Sequence, residues 1–177
     1  MDSTTLRGGI VVVSSRELDR RSLRPIRAVS TVGVSALRRT RTTTTLRWSA
    51  DAVTGEMTRP GREATPVRVP FAAQPPWFGV NEPLAALPLV EGYEARFQLL
   101  VAGPWRVRPM RLAVTGTETV TCAAGTFEAF AVEITPLDGN PAGARTIKVR
   151  QAAPHYVLTE ERAGRISSRF ELVAIQD

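Results

Sequence analysis

The sequence predicts a mostly β protein, built as a single curved antiparallel sheet or partial β-barrel with a proline-rich crossover loop and one short helix. Three observations carry this. Apolar residues recur with period two in several stretches, glycine- and proline-bearing turn signals separate those stretches, and a run of threonines favours extended backbone.

The clearest alternation places Tyr93, Ala95, Phe97, Leu99 and Val101 on one face and Glu94, Arg96 and Gln98 on the other, the signature of a half-buried strand. Phe127 to Ile134, Thr146 to Arg150, His155 to Glu161 and Ile166 to Ala174 repeat it, with Ile166, Ser168, Phe170, Leu172 and Ala174 sharing a face. Between them, Ala102-Gly103-Pro104, Ala123-Ala124-Gly125, Asp138-Gly139-Asn140-Pro141 and Ala163-Gly164 suit tight connections, so the second half reads as a meander.

Earlier in the chain, Arg38 to Trp48 reads as a strand with little to bury. Arg39, Arg41, Thr43, Thr45 and Arg47 share one face; Arg38, Thr40, Thr42, Thr44, Leu46 and Trp48 share the other, and only the end near Trp48 looks inward. Asp51 to Gly55 reads as a turn into Glu56-Met57-Thr58, and Arg59-Pro60-Gly61 as another turn. From Pro66 to Pro88 the proline density argues against a central strand, because each proline removes a backbone donor. This segment is expected to be the crossing loop. Within it Asn81 is placed to cap a short helix, with Glu82 and Pro83 in its first turn, Leu84 to Leu87 as its body and Pro88 as its stop.

A chain of 177 residues with 43% hydrophobic content can bury one substantial core and is short for two, which predicts a single β domain over 1–177. No run approaches the ~18–20 apolar residues that cross a bilayer, and Ile10 to Val13 is too short for a signal-peptide core, so a soluble chain without signal peptide or transmembrane segment is expected. The single cysteine, Cys122, excludes an internal disulfide framework.

The net charge of +6 is concentrated. Residues 1–63 hold twelve arginines against six acids, while residues 64–177 hold eleven basic and eleven acidic residues. Arginine favours planar, bidentate contacts to carboxylate or phosphate. The ordinary reading is that arginine replaces surface lysine throughout, since Lys148 is the one lysine in the chain. Arg20, Arg21, Arg24 and Arg27 lead into Arg38, Arg39 and Arg41, but only Trp48 lies nearby as an aromatic, whereas single-strand nucleic-acid binding wants interleaved aromatics. Nucleic acid is therefore not the expected partner.

Catalytic equipment is sparse. His155 follows Pro154 at the start of an expected strand with no evident partner, and no G-x-S-x-G elbow accompanies any serine. Cys122 alternates with Val120 and behaves as a small buried hydrophobe in the ordinary case; with His155 it supplies too few soft ligands for a structural zinc. Glu160 and Glu161 are adjacent, point to opposite faces of a strand, and are expected to be solvated. No G-x-G-x-x-G or P-loop is present. No enzyme activity, cofactor or metal is expected.

The segment Gly116-Thr-Glu-Thr-Val-Thr-Cys-Ala-Ala-Gly-Thr-Phe-Glu-Ala-Phe-Ala-Val132 resembles the bacterial family called domain of unknown function 3108, in which a strand ends in a Val-Pro-Ala-Gly-Thr-Phe-like turn. Ala124, Gly125, Thr126 and Phe127 fit, while Cys122 and Ala123 stand where valine and proline are usual. Asp19-Arg-Arg-Ser-Leu-Arg-Pro25, Ala86-Leu-Pro-Leu89 followed by Gly92-Tyr93, and Ala153-Pro154 with Val157 look like further landmarks in the same order, so the likeness covers the chain from about Leu18 onward. The resemblance implies a curved antiparallel sheet forming a partial barrel, in proteins often attached to the bacterial envelope, and it supplies no catalytic residues.

Two functions are expected to compete. The first is a non-enzymatic binding module holding an apolar or amphipathic ligand on the concave face of the sheet, through Tyr93, Phe97, Leu99 and Phe170 with Trp77 and Phe78 from the proline-rich loop. In the ordinary alternative for the loop, Phe71, Trp77 and Phe78 fold back as a lid on one end of the sheet. The second is a structural or interaction module with a filled core, in which the sheet edge or the strand bearing Arg39, Arg41 and Arg47 contacts an acidic partner.

Overall fold

The computed structural model describes residues 2–7, 10–34, 37–153, 155–162 and 168–172. These residues form two compact units, one of Met1–Phe78 with Leu100–Val107, the other of Gly79–Leu99 with Arg108–Asp177. The chain is mostly β and antiparallel, with one short helix.

The first unit is built on six strands in sequence order: β1 (Asp2–Arg7), β2 (Ile10–Leu18), β3 (Pro25–Val34), β4 (Leu37–Trp48), β5 (Ala52–Thr58) and β6 (Thr65–Pro70). The ladder is open, with β1 and β6 at its edges. Register decides which side chains share a face. The pairs Arg16↔Ala28, Ala28↔Leu46, Leu46↔Gly55 and Gly55↔Val67 form one row, and Trp48↔Val53↔Val69 the next. Ala28, Leu46, Val53, Val67 and Val69 are buried and make one core with Leu100. The third row on this face is polar: Ser14, Ser30 and Thr44 are buried, and the Ser14 and Ser30 hydroxyls lie 3.2 Å apart.

The turn between β2 and β3 accounts physically for the Asp19-to-Pro25 landmark. The Asp19 carboxylate accepts hydrogen bonds from the Ser22 hydroxyl and from the amides of Ser22 and Arg21, which holds its pKa below the ordinary value. Leu23 takes a positive φ of 55° and donates its amide to the Asp19 carbonyl, and the Asp19 amide donates to the carbonyl of Arg24.

Several expectations in this half are corrected. The strands β2 and β3 were not anticipated from their mixed patterning. Ala52–Gly55 is strand, not turn: Gly55 sits opposite Leu46 because a Cβ there would come within 1.9 Å of the Thr45 carbonyl oxygen. The glycine marks a close backbone approach. The proline-rich segment begins with a strand, since β6 tolerates Pro66 and Pro70 by lying at the sheet edge with both prolines exposed while Val67 and Val69 turn inward.

The second unit carries β7 (Glu94–Val101), β8 (Arg106–Cys122), β9 (Gly125–Pro136), β10 (Arg145–Arg150), β11 (Val157–Arg162) and β12 (Ser168–Glu171), in the order β12-β11-β10-β9-β8-β7. Leu100 and Val101 of β7, and Arg106 and Val107 of β8, belong to the first unit. This ladder is also open, so the described strands do not close into a barrel. Met110, Leu112, Val114, Val132, Ile134, Ile147 and Val149 are buried.

A bulge changes the inward face along the β8–β9 hairpin. Val114 pairs with Val132, but Gly116 pairs with Ala131, so two residues advance on β8 for one on β9. Beyond it the apolar residues Val120, Cys122, Phe127 and Ala129 lie on the opposite face of the ladder and form a second, smaller core with Leu158 and Leu172. Further register shifts at Glu17/Leu18, Val32/Val34 and Lys148/Val149 add local bends. Gly125, at a φ of 131°, opens β9 where the hairpin turn requires a glycine.

Helix α1 (Asn81–Ala86) is present with Pro83 in its first turn, but Asn81 is its first helical residue, not its cap. The cap position is Val80, with no side-chain hydrogen bond to the helix end. Val80 and Leu84 are fully buried, so α1 is held by its apolar residues.

Candidate functional site

The face of the first ladder opposite its core carries an ordered row of exposed charged side chains. Residues directly opposite one another across strands share a face, so Glu17↔Arg27↔Arg47↔Thr54↔Arg68 form one row across five strands. Glu17, Arg27, Arg47 and Arg68 are exposed. Glu17 and Arg27 approach to 3.8 Å, a loose exposed pair. That leaves Arg47 and Arg68 on a row with three guanidiniums and a single carboxylate.

The same face continues as a hydroxyl-rich surface. The Thr31 and Thr43 hydroxyls lie 3.1 Å apart, and the Thr58 hydroxyl donates to the Thr43 carbonyl. Arg41 is exposed at the far end, and a Cβ on Gly33 would meet its Cγ at 3.0 Å. Glycine thus lets the Arg41 stem lie flat across β3. Of the three arginines expected here, Arg41 and Arg47 take exposed positions on this face, while the side chain of Arg39 lies outside the described residues. Arg27 and Arg68 were missed because the threonine-arginine alternation marks the face of β4 alone. Their membership follows only from the register of β3 and β6.

The aromatic loop takes its lid-like form. Within the first unit the Arg16 Nε donates to the Phe78 carbonyl at 2.8 Å, the Trp48 indole donates to the Pro76 carbonyl at 2.9 Å, and the Leu100 amide donates to the Trp77 carbonyl at 2.8 Å. Arg16 also lies 5.9 Å from the Phe78 ring centroid, and burial pushes its pKa down. Phe71 and Phe78 pack on the core, and Phe78 stacks with Trp105 at 6.4 Å. Trp77 is half-buried.

In the second unit Phe97 and Leu99 are buried and Tyr93 is half-buried at the start of β7. Phe170 lies on β12 opposite Glu160, and its side chain is outside the described residues. The six residues expected to share an apolar ligand are thus divided: Trp77 and Phe78 belong to the first unit, the others to the second.

His155 and Cys122 have structural surroundings. The His155 Nδ1 lies 2.9 Å from the Arg150 carbonyl and its ring is tilted against Phe130 at 6.4 Å, while Cys122 is buried beside Ala129 and Leu158. Among the described residues no group of three or more His, Cys, Asp or Glu side chains gathers as a metal site, and no helix is long and apolar enough to cross a membrane. Glu161 is exposed as expected, but Glu160 is buried and accepts from Arg145 and Arg162.

The second unit's other buried arginine is structural. Arg108 forms a bidentate pair with Asp138, with both nitrogen–oxygen distances 2.7 Å, and donates to the carbonyls of Asn140 and Ala142, fastening the β9–β10 loop. This pairing holds the Asp138 pKa down to about 2. Neither comparison with curated proteins nor comparison with solved structures gives a match. The model of the family described as protein of unknown function DUF3108 matches residues 3–168, nearly the whole chain, and the protein belongs to that family.

Proposed function

We propose that the protein is a non-enzymatic interaction module that recruits an acidic protein partner on the exposed arginine face of its first ladder. The observation that carries this reading is the direct cross-strand pairing of Arg27 with Arg47, with Arg68 in the same row. Like charges placed opposite one another in a sheet are unfavourable. An acidic surface laid across the row relieves that repulsion and gains charge-assisted hydrogen bonds. The hydroxyls of Thr31, Thr43 and Thr54 offer further polar contacts beside the guanidiniums.

Polyglutamate serves as the acidic probe. Salt-sensitive binding by the intact chain, lost on combined Arg27→Glu, Arg41→Glu and Arg47→Glu substitution with unchanged circular dichroism, supports the reading. Binding that survives the triple reversal defeats it. An apolar molecule retained in native mass spectrometry, with no affinity for polyglutamate, favours the concave-face ligand reading instead.

A further inference from the structure

On the face opposite its buried Val132 and Ile147, the second ladder carries a row that complements the arginine row of the first. Glu133, Thr146 and Glu161 stand directly opposite one another on β9, β10 and β11, as Arg47, Thr54 and Arg68 do on β4, β5 and β6. In each row the two outer residues are exposed and the central threonine is half-buried. Neighbouring strands lie about 4.8 Å apart, so the two arginines and the two glutamates share a spacing of roughly 9–10 Å.

The backbone decides which carboxylate meets which arginine when one ladder is laid face to face on another. The Ser49 amide donates to the Ala52 carbonyl, and in this register that turns the Thr54 amide toward β4. The Gln151 amide donates to Glu128 and the Arg150 amide to Tyr156, which turns the Thr146 amide toward β11. With both faces toward one observer and β5 and β10 drawn in the same direction, Arg47 and Glu161 therefore lie on the same side of their central threonines. Turning one ladder over onto the other, with β5 and β10 parallel, puts Glu133 over Arg47 and Glu161 over Arg68. Glu56, two residues beyond Thr54, then falls opposite Lys148, two residues beyond Thr146, which is a third match of sign. Arg27 falls over the buried Ala113, and the position of Arg169 lies past the sheet edge at β6. The reversed orientation sets Arg27 against the position of Arg169 and loses the match at Glu56.

Docking of this kind needs exposure and order in these groups. It does not require that they lack neighbours in their own chain. Arg111, diagonal to Glu133, is held by Glu94 in a bidentate pair, and Lys148 donates to Glu118 with one of its three hydrogens.

We propose that the acidic partner of the arginine face is a second copy of this chain, docked through the Glu133–Thr146–Glu161 row of its second ladder. This rests on the acidic-partner reading above and names the partner. Stacked sheets about 10 Å apart let an arginine and a glutamate meet end to end, and the crossing of about 30° usual for aligned sheets is within the reach of such long side chains. The two surfaces differ, so the contact is heterologous and builds head-to-tail assemblies.

The test is sedimentation equilibrium of the intact chain at low and at high salt. At low salt the average mass should rise with concentration above that of one chain, and salt should reverse the rise. Arg47→Glu and Glu133→Arg should each weaken association about tenfold or more, because like charges then meet. The two substitutions in one chain should restore it, whereas Arg47→Glu with Glu161→Arg should not. Should the double variant not fold by circular dichroism, mixing the two single variants replaces it: the intact arginine row of one then meets the intact glutamate row of the other, and association returns. A chain that stays at the mass of one copy at low salt, single reversals without effect, or a swap and a mixture that both fail to restore association each overturn the second-copy contact. If polyglutamate still binds such a chain, the acidic-partner reading stands without it; if polyglutamate does not bind either, both fall.

Discussion

Arg27 and Arg47 stand directly opposite each other on β3 and β4, both exposed, with the nearest carboxylate to Arg27 being Glu17 at 3.8 Å. Facing side chains in such a pair have Cβ atoms about 5 Å apart, close enough for like charges to repel. Replacing Arg47 by glutamate turns a repulsive pair into an attractive one. Arg47→Glu is therefore expected to raise folding stability by about 0.2–1 kcal/mol while weakening capture of an acidic probe. Urea unfolding at low salt measures the first effect and polyglutamate binding the second. A stability loss would show that Arg47 is held by attractive contacts instead.

The Arg108–Asp138 pair makes a defined contribution to acid stability. Donation from Arg108 holds the Asp138 pKa at about 2 against an ordinary value of 3.8. Because the folded-state value is the lower one, the unfolded chain binds the proton more readily. The stabilisation is present above pH 3.8 and disappears as pH falls toward 2. Acid unfolding curves of the parent and of Asp138→Asn should therefore converge between those limits, with the parent the more stable above them. Parallel curves across that range would contradict this.

How much of this could be read from sequence depends on whether a residue's role is local. The alternation from Tyr93 to Val101 specified β7 because each residue's face follows from its neighbours two away, and the split of Arg41, Thr43, Thr45 and Arg47 from Thr44, Leu46 and Trp48 specified the two faces of β4 for the same reason. Gly55 misled because a glycine required by close backbone approach reads locally like one required by a turn. Pro66 and Pro70 misled because an edge position is a property of the sheet, not of the strand. The arginine row was half legible: Arg47 came from alternation, but Arg27 and Arg68 needed register. Glu160 was misread as solvated because Arg145, its partner on the neighbouring strand, meets it only once β10 pairs with β11, and its burial opposite Ile147 follows from that register.

Gly55 provides a sharp stability test. Its ideal Cβ position lies 1.9 Å from the Thr45 carbonyl oxygen and 3.0 Å from the Leu46 Cα, both backbone atoms that a rotamer change cannot move. Gly55→Ala must therefore separate β4 from β5 beside Leu46, which is completely buried. A loss of about 3 kcal/mol or more is expected in urea unfolding. By comparison, Gly61→Ala, at a positive φ of 70° with open space around it, should cost only about 1–2 kcal/mol from backbone strain. Equal losses would mean that β4 and β5 are not as closely apposed as this register requires.

The aromatic loop should be separable from the core it covers. The Trp48 indole reaches the carbonyl of Pro76, a fully buried residue, while its ring packs on the cluster around Leu46. Trp48→Phe keeps much of the packing and removes the donor, leaving a carbonyl unpaired at a cost of about 1–3 kcal/mol. That loss should be local. The Leu100 amide, which donates to the neighbouring Trp77 carbonyl, should exchange its hydrogen faster in Trp48→Phe, while the amides of β3 and β4 change only by the shift in global stability. Leu46→Ala removes core volume instead and should cost about 2–5 kcal/mol, accelerating exchange in β3, β4 and β5 together. If Trp48→Phe also affected all three strands equally, the loop would have to be regarded as part of the same cooperative unit, since a cap that opens independently cannot propagate its loss through the ladder.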